Sequence, residues 1–426
     1  MIHYISGYGS LRNPGFSVTQ PLHRQLPLAR DAIMISMIMG KQEMDENPKG
    51  KKRGWRKLLG IAFSLLSLAV LTYVAVILIS GRQSDFFRVF GFLSDGGSIK
   101  MADEYHFDVG RNRVFADLNG SLAAAGTLGI QILDTGGSET LRDSFRMSNP
   151  AINAQNGHAV AFDISGTAVR VLGGSEMTAS IETGGPIISA SINRNGWVSV
   201  CTQESGIYRG IVTIYNNTGR VAYRVKLVTG YVLSAALSPD NKSLAVLNLT
   251  DGGSRITFYD LSSEEVSRAI DLKGMLVLDM RYLASGDVLI ISTEELLIAG
   301  KNNETRELYR FADKHLGGYT FDDGITTLYL LDYSVGNIGR LVTLDEAGNK
   351  LGEITTDKAI ISLSSRDGYL AVLMSDGFRY LNNALEELPV SGEFKSFAGM
   401  TEVLALGGGI ALVTGDYSAV VFRIEN

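Results

Sequence analysis

Eight times between Asn119 and Gly408, a short apolar segment runs into a tight turn and a second apolar segment follows it. The turns are Asn119-Gly120, Asn156-Gly157, Asn195-Gly196, Asp240-Asn241, Ser285-Gly286, Asp323-Gly324, Asp367-Gly368 and Gly407-Gly408. Asn, Asp and Gly tolerate positive φ, which a tight hairpin demands. Measured at the second residue of each pair, the intervals are 37, 39, 45, 45, 38, 44 and 40 residues. A period near 40 leaves room for about four short strands per unit and predicts a β-propeller. The expected fold class is therefore all-β, an eight-bladed ring with seven blades as the fallback. No helical pattern of ten or more residues interrupts the series, which argues against alternating strands and helices.

Strand chemistry fits this reading. The second strands are small and apolar, as in Leu122–Ala125, Ala159–Phe162, Leu244–Leu247 and Leu370–Leu373. Such near-continuous runs suit a strand covered on both faces. Val221–Leu227 instead alternates apolar and polar residues, as a half-exposed outer strand should. The last unit has only three strands and ends at Val420–Glu425. Glu104–Val109 precedes the first complete unit and is expected to supply the missing fourth, closing the ring with opposite ends of the chain and hiding two edges.

Ahead of the repeats, Leu58–Ser80 holds 23 residues without a charge. At about 1.5 Å per residue it can cross a hydrocarbon layer of roughly 30 Å. Lys49, Lys51, Lys52, Arg53, Arg56 and Lys57 stand before it, and Arg82, Asp85 and Arg88 after it. That asymmetry predicts a cytoplasmic amino terminus. The apolar run exceeds the roughly 7–15 residues of a signal-peptide core, so a retained signal anchor is expected. The predicted layout is a basic cytoplasmic tail at 1–57, a transmembrane helix at 58–80, a juxtamembrane linker at 81–100 and an extracytoplasmic propeller at 101–426. Within the tail, residues 1–43 do not pattern as a domain. Met44 begins a conventional basic lead-in to a membrane segment, so translation is expected to start near it.

Ten of the 39 basic and four of the 45 acidic residues precede Leu58, leaving 29 and 41 after it, a formal −12. An ectodomain of that charge is a poor partner for nucleic acid or anionic lipid. The single cysteine, Cys201, permits no internal disulfide. An external location without disulfides points to a bacterial envelope, the predicted localisation being the cell membrane. The Asn-x-Ser/Thr sequences at Asn119 and Asn248 are then chance matches.

The segment Ser238–Val246, followed by Ile256–Leu261, resembles the blade motif of WD-repeat-like and quinoprotein-like propellers. There a Ser-Pro-Asp-Gly-Lys turn precedes the second strand and an aromatic-Asp pair ends the third; Asn241 stands here in place of the glycine. The whole layout is similar to a family of bacterial single-pass membrane-anchored β-propellers, a domain of unknown function. The resemblance implies fold and setting, and no activity.

Residue patterns for chemistry are sparse. His106, His158 and His315 fall in different units, and no His-x-x-x-His or Cys-x-x-Cys spacing occurs. Cys201 sits inside the apolar strand Trp197–Thr202, where a buried, inert thiol is expected. No Gly-x-Ser-x-Gly elbow is present. Asp322-Asp323-Gly324 and Asp251-Gly252-Gly253 lack the ligand series of a calcium loop. Gly184-Gly185-Pro186 and Gly407-Gly408-Gly409 lack the lysine and helix of a phosphate loop. No residue that would be charged lies in Leu58–Ser80, where Thr72 and Tyr73 are only mildly polar, so transport is unsupported.

The sequence thus assigns no catalytic, cofactor-binding or metal residue and implies no cofactor. The favoured function is a non-catalytic binding or scaffold module for an envelope protein, peptide or glycan, with the bilayer contacted through residues 58–80. Inter-blade loops such as Thr229-Gly230 and Lys273-Gly274 are candidate contacts. One alternative is a wall-polysaccharide hydrolase or lyase, for which Asp163, Asp279 and Glu402 would have to converge at the ring centre. A sensory component is the other.

Overall fold

The computed structural model describes residues 98–425 apart from 205, 264, 302, 303, 392–396 and 398. The expected tail, transmembrane helix and most of the linker lie outside the described residues. Within them no helix is long and apolar enough to cross a membrane.

The described chain forms eight sheets. Blade 4 gives the pattern. Strands β14 (Tyr231–Leu237), β15 (Ser243–Thr250), β16 (Gly253–Asp260) and β17 (Glu265–Lys273) pair in sequence, each antiparallel to the last. Blades 1, 2, 3, 5 and 6 repeat that order over residues 114–144, 150–182, 187–227, 277–310 and 315–356. All eight predicted turns join the first and second strands of a blade. Four of them, Asn119-Gly120, Asn156-Gly157, Asp323-Gly324 and Asp367-Gly368, hold positive φ at both residues. That is the twist-matching geometry of a two-residue hairpin.

First strands line the centre and run parallel to one another. In β10 (Ile187–Ile192) the Ser189 Oγ donates to Leu233 O at 2.9 Å and the Ser191 Oγ to Ala235 O, so the two strands advance together. The ring closes between β30 (Glu402–Leu406) and β2 (Val114–Leu118), making eight blades and not the fallback seven.

The core is eight apolar clusters, one between each neighbouring pair of blades. Leu244 and Val246 enter the cluster shared with blade 3, and Ala245 and Leu247 the one shared with blade 5. Leu244–Leu247 are therefore buried on both faces of the strand, which explains the apolar run.

Closure follows the expectation and adds to it. β1 (Ser98–His106) pairs antiparallel with β32 (Ser418–Glu425) from Ser98↔Glu425 to His106↔Ser418. It is the outer strand beyond β30, β31 (Ile410–Thr414) and β32. Unforeseen was a strand exchange at the seam. Blade 7 (residues 360–382) has three strands. The chain that follows makes one turn, closed by Leu388 N–H to Tyr380 O at 2.8 Å. It then lends β29 (Val390–Ser391) to blade 8, parallel to β1.

Candidate interaction surface

Parallel first strands sort the loops into two rims. The first-to-second and third-to-fourth turns gather on one side, the hairpin rim. The second-to-third turns and the inter-blade links gather on the other, the link rim. β1 begins beside Glu425, next to the Gly407–Gly409 turn, where Ile424 N–H bonds Gly409 O at 3.1 Å. Ser98, the first described residue, therefore lies at the hairpin rim.

The hairpin rim is bound to itself. Asn193 Nδ2 donates to Ser238 O of the next blade at 3.0 Å. Asp322 Oδ2 accepts from Gly368 N at 2.8 Å, and Asp367 Oδ2 from Gly408 N at 3.0 Å. The Asp322 carboxylate is thus spent on its neighbour's turn. Burial pushes its carboxyl above the ordinary value. In the Ser238-Pro-Asp-Asn-Lys turn, Ser238 Oγ donates to Asp240 Oδ1 at 2.7 Å and accepts from Ser243 N at 2.9 Å. That hydroxyl holds the Asp240 carboxyl below its usual range.

The three carboxylates of the hydrolase alternative stand apart, in blades 2, 5 and 8, Asp163 at the link-rim end of a second strand and Asp279 and Glu402 on first strands. Asp163 Oδ1 accepts from Ser148 N at 2.9 Å and Asn149 N at 2.7 Å, pinning the link from blade 1. Asp279 lies on β18 (Val277–Tyr282), just past a register shift. It accepts from Met280 N at 2.8 Å and from the Tyr319 hydroxyl at 3.4 Å. Burial raises its pKa despite Arg281 nearby. Glu402 starts β30; its Oε1 is shut off from solvent without a hydrogen-bond partner, and burial pushes the carboxyl up to about 8. No hydrogen bond joins any two of these three among the described residues. A cavity of ≈ 120 Å³ includes Asp279, Arg281, Asn153 and Asn193 in its lining, and of the three carboxylates only Asp279 touches it. Cys201 is buried and its thiol is raised to about 12. His106, His158 and His315 remain in blades 8, 2 and 6. Among the described residues no three His, Cys, Asp or Glu side chains group as metal ligands.

The link rim differs in kind. Leu128, Ile207, Val228, Tyr231, Leu276, Tyr333, Val335, Ile338 and Tyr417 are large apolar or aromatic residues exposed there. The other exposed ones, such as Met177 and Val221, lie on outer strands, and none lies in a described hairpin-rim turn. Cations rest on several tyrosines: Arg113 over Tyr417 at 5.6 Å, Arg209 over Tyr231 at 5.9 Å and Lys226 over Tyr208 at 5.1 Å. Tyr and Arg are the residue types that dominate binding energy at protein interfaces. Both loops singled out by sequence, Thr229-Gly230 and Lys273-Gly274, fall on this rim. The exposed tyrosines themselves went unread. The signal was available, since a four-strand unit fixes which turns share a side.

Residues 97–314 match the model of a family of unknown function, DUF5711. No curated protein matches the chain. Among solved structures, the carboxy-terminal WD40 domain of Sif2 is 12% identical, covering 78% of this chain and 97% of that one with a TM-score of 0.49. The β-propeller domain of Myceliophteria thermophila Cps50 (Swd1) is 10% identical, covering 76% and 99% with a TM-score of 0.42.

Proposed function

The chain belongs to the DUF5711 family, and from that premise we propose that it is a single-pass membrane protein of the bacterial envelope whose propeller is a non-catalytic binding module used through its link rim. One observation carries the reading: large apolar side chains stand exposed on the loops of one rim and not on those of the other. An apolar surface of this kind on a soluble domain marks an interaction site. Ser98, the first described residue, stands at the hairpin rim, on the side opposite the exposed apolar loops. The self-bonded hairpin rim then serves as a brace.

Cross-linking in intact cells tests this. Tyr231→Ala, Tyr333→Ala and Tyr417→Ala together should abolish adducts that survive Lys301→Ala and Glu346→Ala on the hairpin rim. Protease added outside the cells should digest the propeller. Adducts indifferent to the tyrosines, or a propeller protected in intact cells and cut only after lysis, would overturn the reading.

A further inference from the structure

We propose that the junction of blades 3 and 4 on the link rim is a docking site for an acidic protein segment carrying apolar anchor side chains. The proposal rests on the binding-module reading and narrows it to one sector and one ligand chemistry.

The sector has two loops. Residues 206–209, between β11 (Val198–Gln203) and β12 (Gly210–Tyr215), lead into β12, and residues 228–230 link β13 (Val221–Leu227) to β14. They are held side by side, because Arg209 N–H donates to Leu227 O at 2.7 Å. The two blades also meet closely: a Cβ on Gly210 would lie 2.6 Å from Val232 Cγ1. On this base Ile207 is 73% exposed, Tyr231 62% and Val228 59%. Apolar groups left this open contribute nothing to the fold and lose water only when something covers them.

Charge gives the covering partner its sign. Arg209 and Lys226 each stand over an exposed or half-buried tyrosine ring, and neither has a carboxylate partner among the described residues. Several other cations are answered: Arg113 by Asp416, Arg170 by Asp143, Arg340 by Glu353 and Arg366 by Asp117. Arg268 and Arg281 also stand on rings without an ion pair among the described residues, but those rings, Phe258 and Phe321, are buried and half-buried and lie on strands, outside the loops that expose Ile207 and Val228. A cation seated on a tyrosine keeps its outer donors free, and the ring limits the freedom it would lose on binding. Carboxylates are the complement of this pair, and apolar side chains are the complement of Ile207 and Val228. The remainder of the propeller is acidic and repels such a segment, so these unpaired cations would fix where it lands.

The test uses the full-length chain and a random peptide display library. Selected peptides should combine Asp or Glu with large apolar residues. The exposed pair Arg209→Glu/Lys226→Glu should weaken them tenfold or more with the melting temperature unchanged, and Lys-for-Glu versions of the peptides should prefer that variant. Ile207→Ala should weaken binding without altering the charge preference. Peptides lacking acidic residues, or binding unaffected by the reversed pair, would overturn the proposal. So would binding only of phosphatidylglycerol vesicles, or no selected peptide at all. Peptides lost with Tyr333→Ala or Tyr417→Ala and kept with the reversed pair would overturn this sector and leave the binding-module reading standing.

Discussion

Blade 4 and blade 8 share a four-strand antiparallel ladder, to which blade 8 adds β29, and they reach it by different routes. Blade 4 is one continuous stretch, residues 231–273, whose strands are joined by short turns. Blade 8 is assembled from residues 98–106, 390–391 and 402–425. Pairing β1 with β32 closes a loop of about 300 residues where a hairpin closes about five; at about 0.6 kcal/mol per doubling, that costs roughly 3–4 kcal/mol more. The seam offsets it by burial. Tyr105 and Phe107 of the entering chain pack with Phe115, Leu133, Leu404 and Leu412 in the cluster between blades 8 and 1. Phe422 stacks on Phe378 of blade 7 with ring centroids 4.6 Å apart. The lesson is that a ring of local units still depends on one non-local joint.

The largest expected effect comes from cutting that joint. Deleting residues 98–106 removes the outer strand of blade 8, the buried Tyr105 and the partner of β29, and bares the edge of β32. A loss of several kcal/mol at about 1.5 °C each, for a ring of this size, predicts a melting temperature lower by roughly 5–10 °C. A calorimetric melt within a degree or two of the parent would show that the ring does not need its closing strand.

Single core substitutions separate the blades by kinetics. Phe258 and Phe422 are both fully buried, and replacing either with Ala should cost about 3–5 kcal/mol. If the seam forms last, Phe422→Ala speeds unfolding and leaves the folding rate alone, whereas Phe258→Ala slows folding. Stopped-flow denaturant jumps on both variants measure this, and the reverse pattern would place the nucleus at the seam.

What was legible in the sequence follows the same division. The eight hairpins could be counted because positive φ confines the second residue of each turn to Gly or Asn, a local constraint. Burial on both faces made the second strands recognisable. β1 was inferable because the last unit lacked a strand. The transfer of β29 from blade 7 to blade 8 left no mark, since two residues pairing in parallel with a distant strand have no periodicity. Asp163, Asp279 and Glu402 all read as strand carboxylates. Which of them bonds to a loop, which to a tyrosine and which to nothing depends on the neighbouring blade, which one strand's sequence does not contain.

Glu402 gives the next prediction, again at the seam. On the first strand of blade 8 the carboxyl has an oxygen with no partner, whereas the corresponding strand of blade 4 buries only a hydroxyl unpaired, that of Ser234. A carboxyl raised to about 8 binds its proton more tightly folded than unfolded. The stability it lends is complete below the unfolded value near 4.3 and is lost as pH rises through 8. The slope in that window is at most about 1.4 kcal/mol per pH unit. Glu402→Gln cannot ionise, so it should gain on the parent as pH climbs from 5 to 8. Urea melts at pH 5, 6.5 and 8 read the difference, and parallel curves would show that the carboxyl is solvated.

The smallest expected effect compares two ion pairs. Arg366 of blade 7 reaches past blade 8 to blade 1, its Nε 3.3 Å from Asp117 Oδ2 and its Nη2 donating to Asn119 Oδ1 at 3.1 Å. The Gly407–Gly409 turn leaves room for this, since a Cβ at Gly407 would already lie 3.3 Å from Asp367 Oδ2. Asp117 is largely buried, and burial raises its carboxyl despite the arginine. Arg255 and Asp271 of blade 4 sit 3.5 Å apart, each about half exposed. Solvent screens that pair, so a double-mutant cycle through Arg255→Met and Asp271→Asn should find a coupling near zero. The same cycle through Arg366→Met and Asp117→Asn should find about 1 kcal/mol, because removing the arginine alone leaves a buried carboxylate without its cation. Equal couplings would mean that the bridge across blade 8 adds nothing to closure and that the seam is held by β1 and its apolar contacts alone.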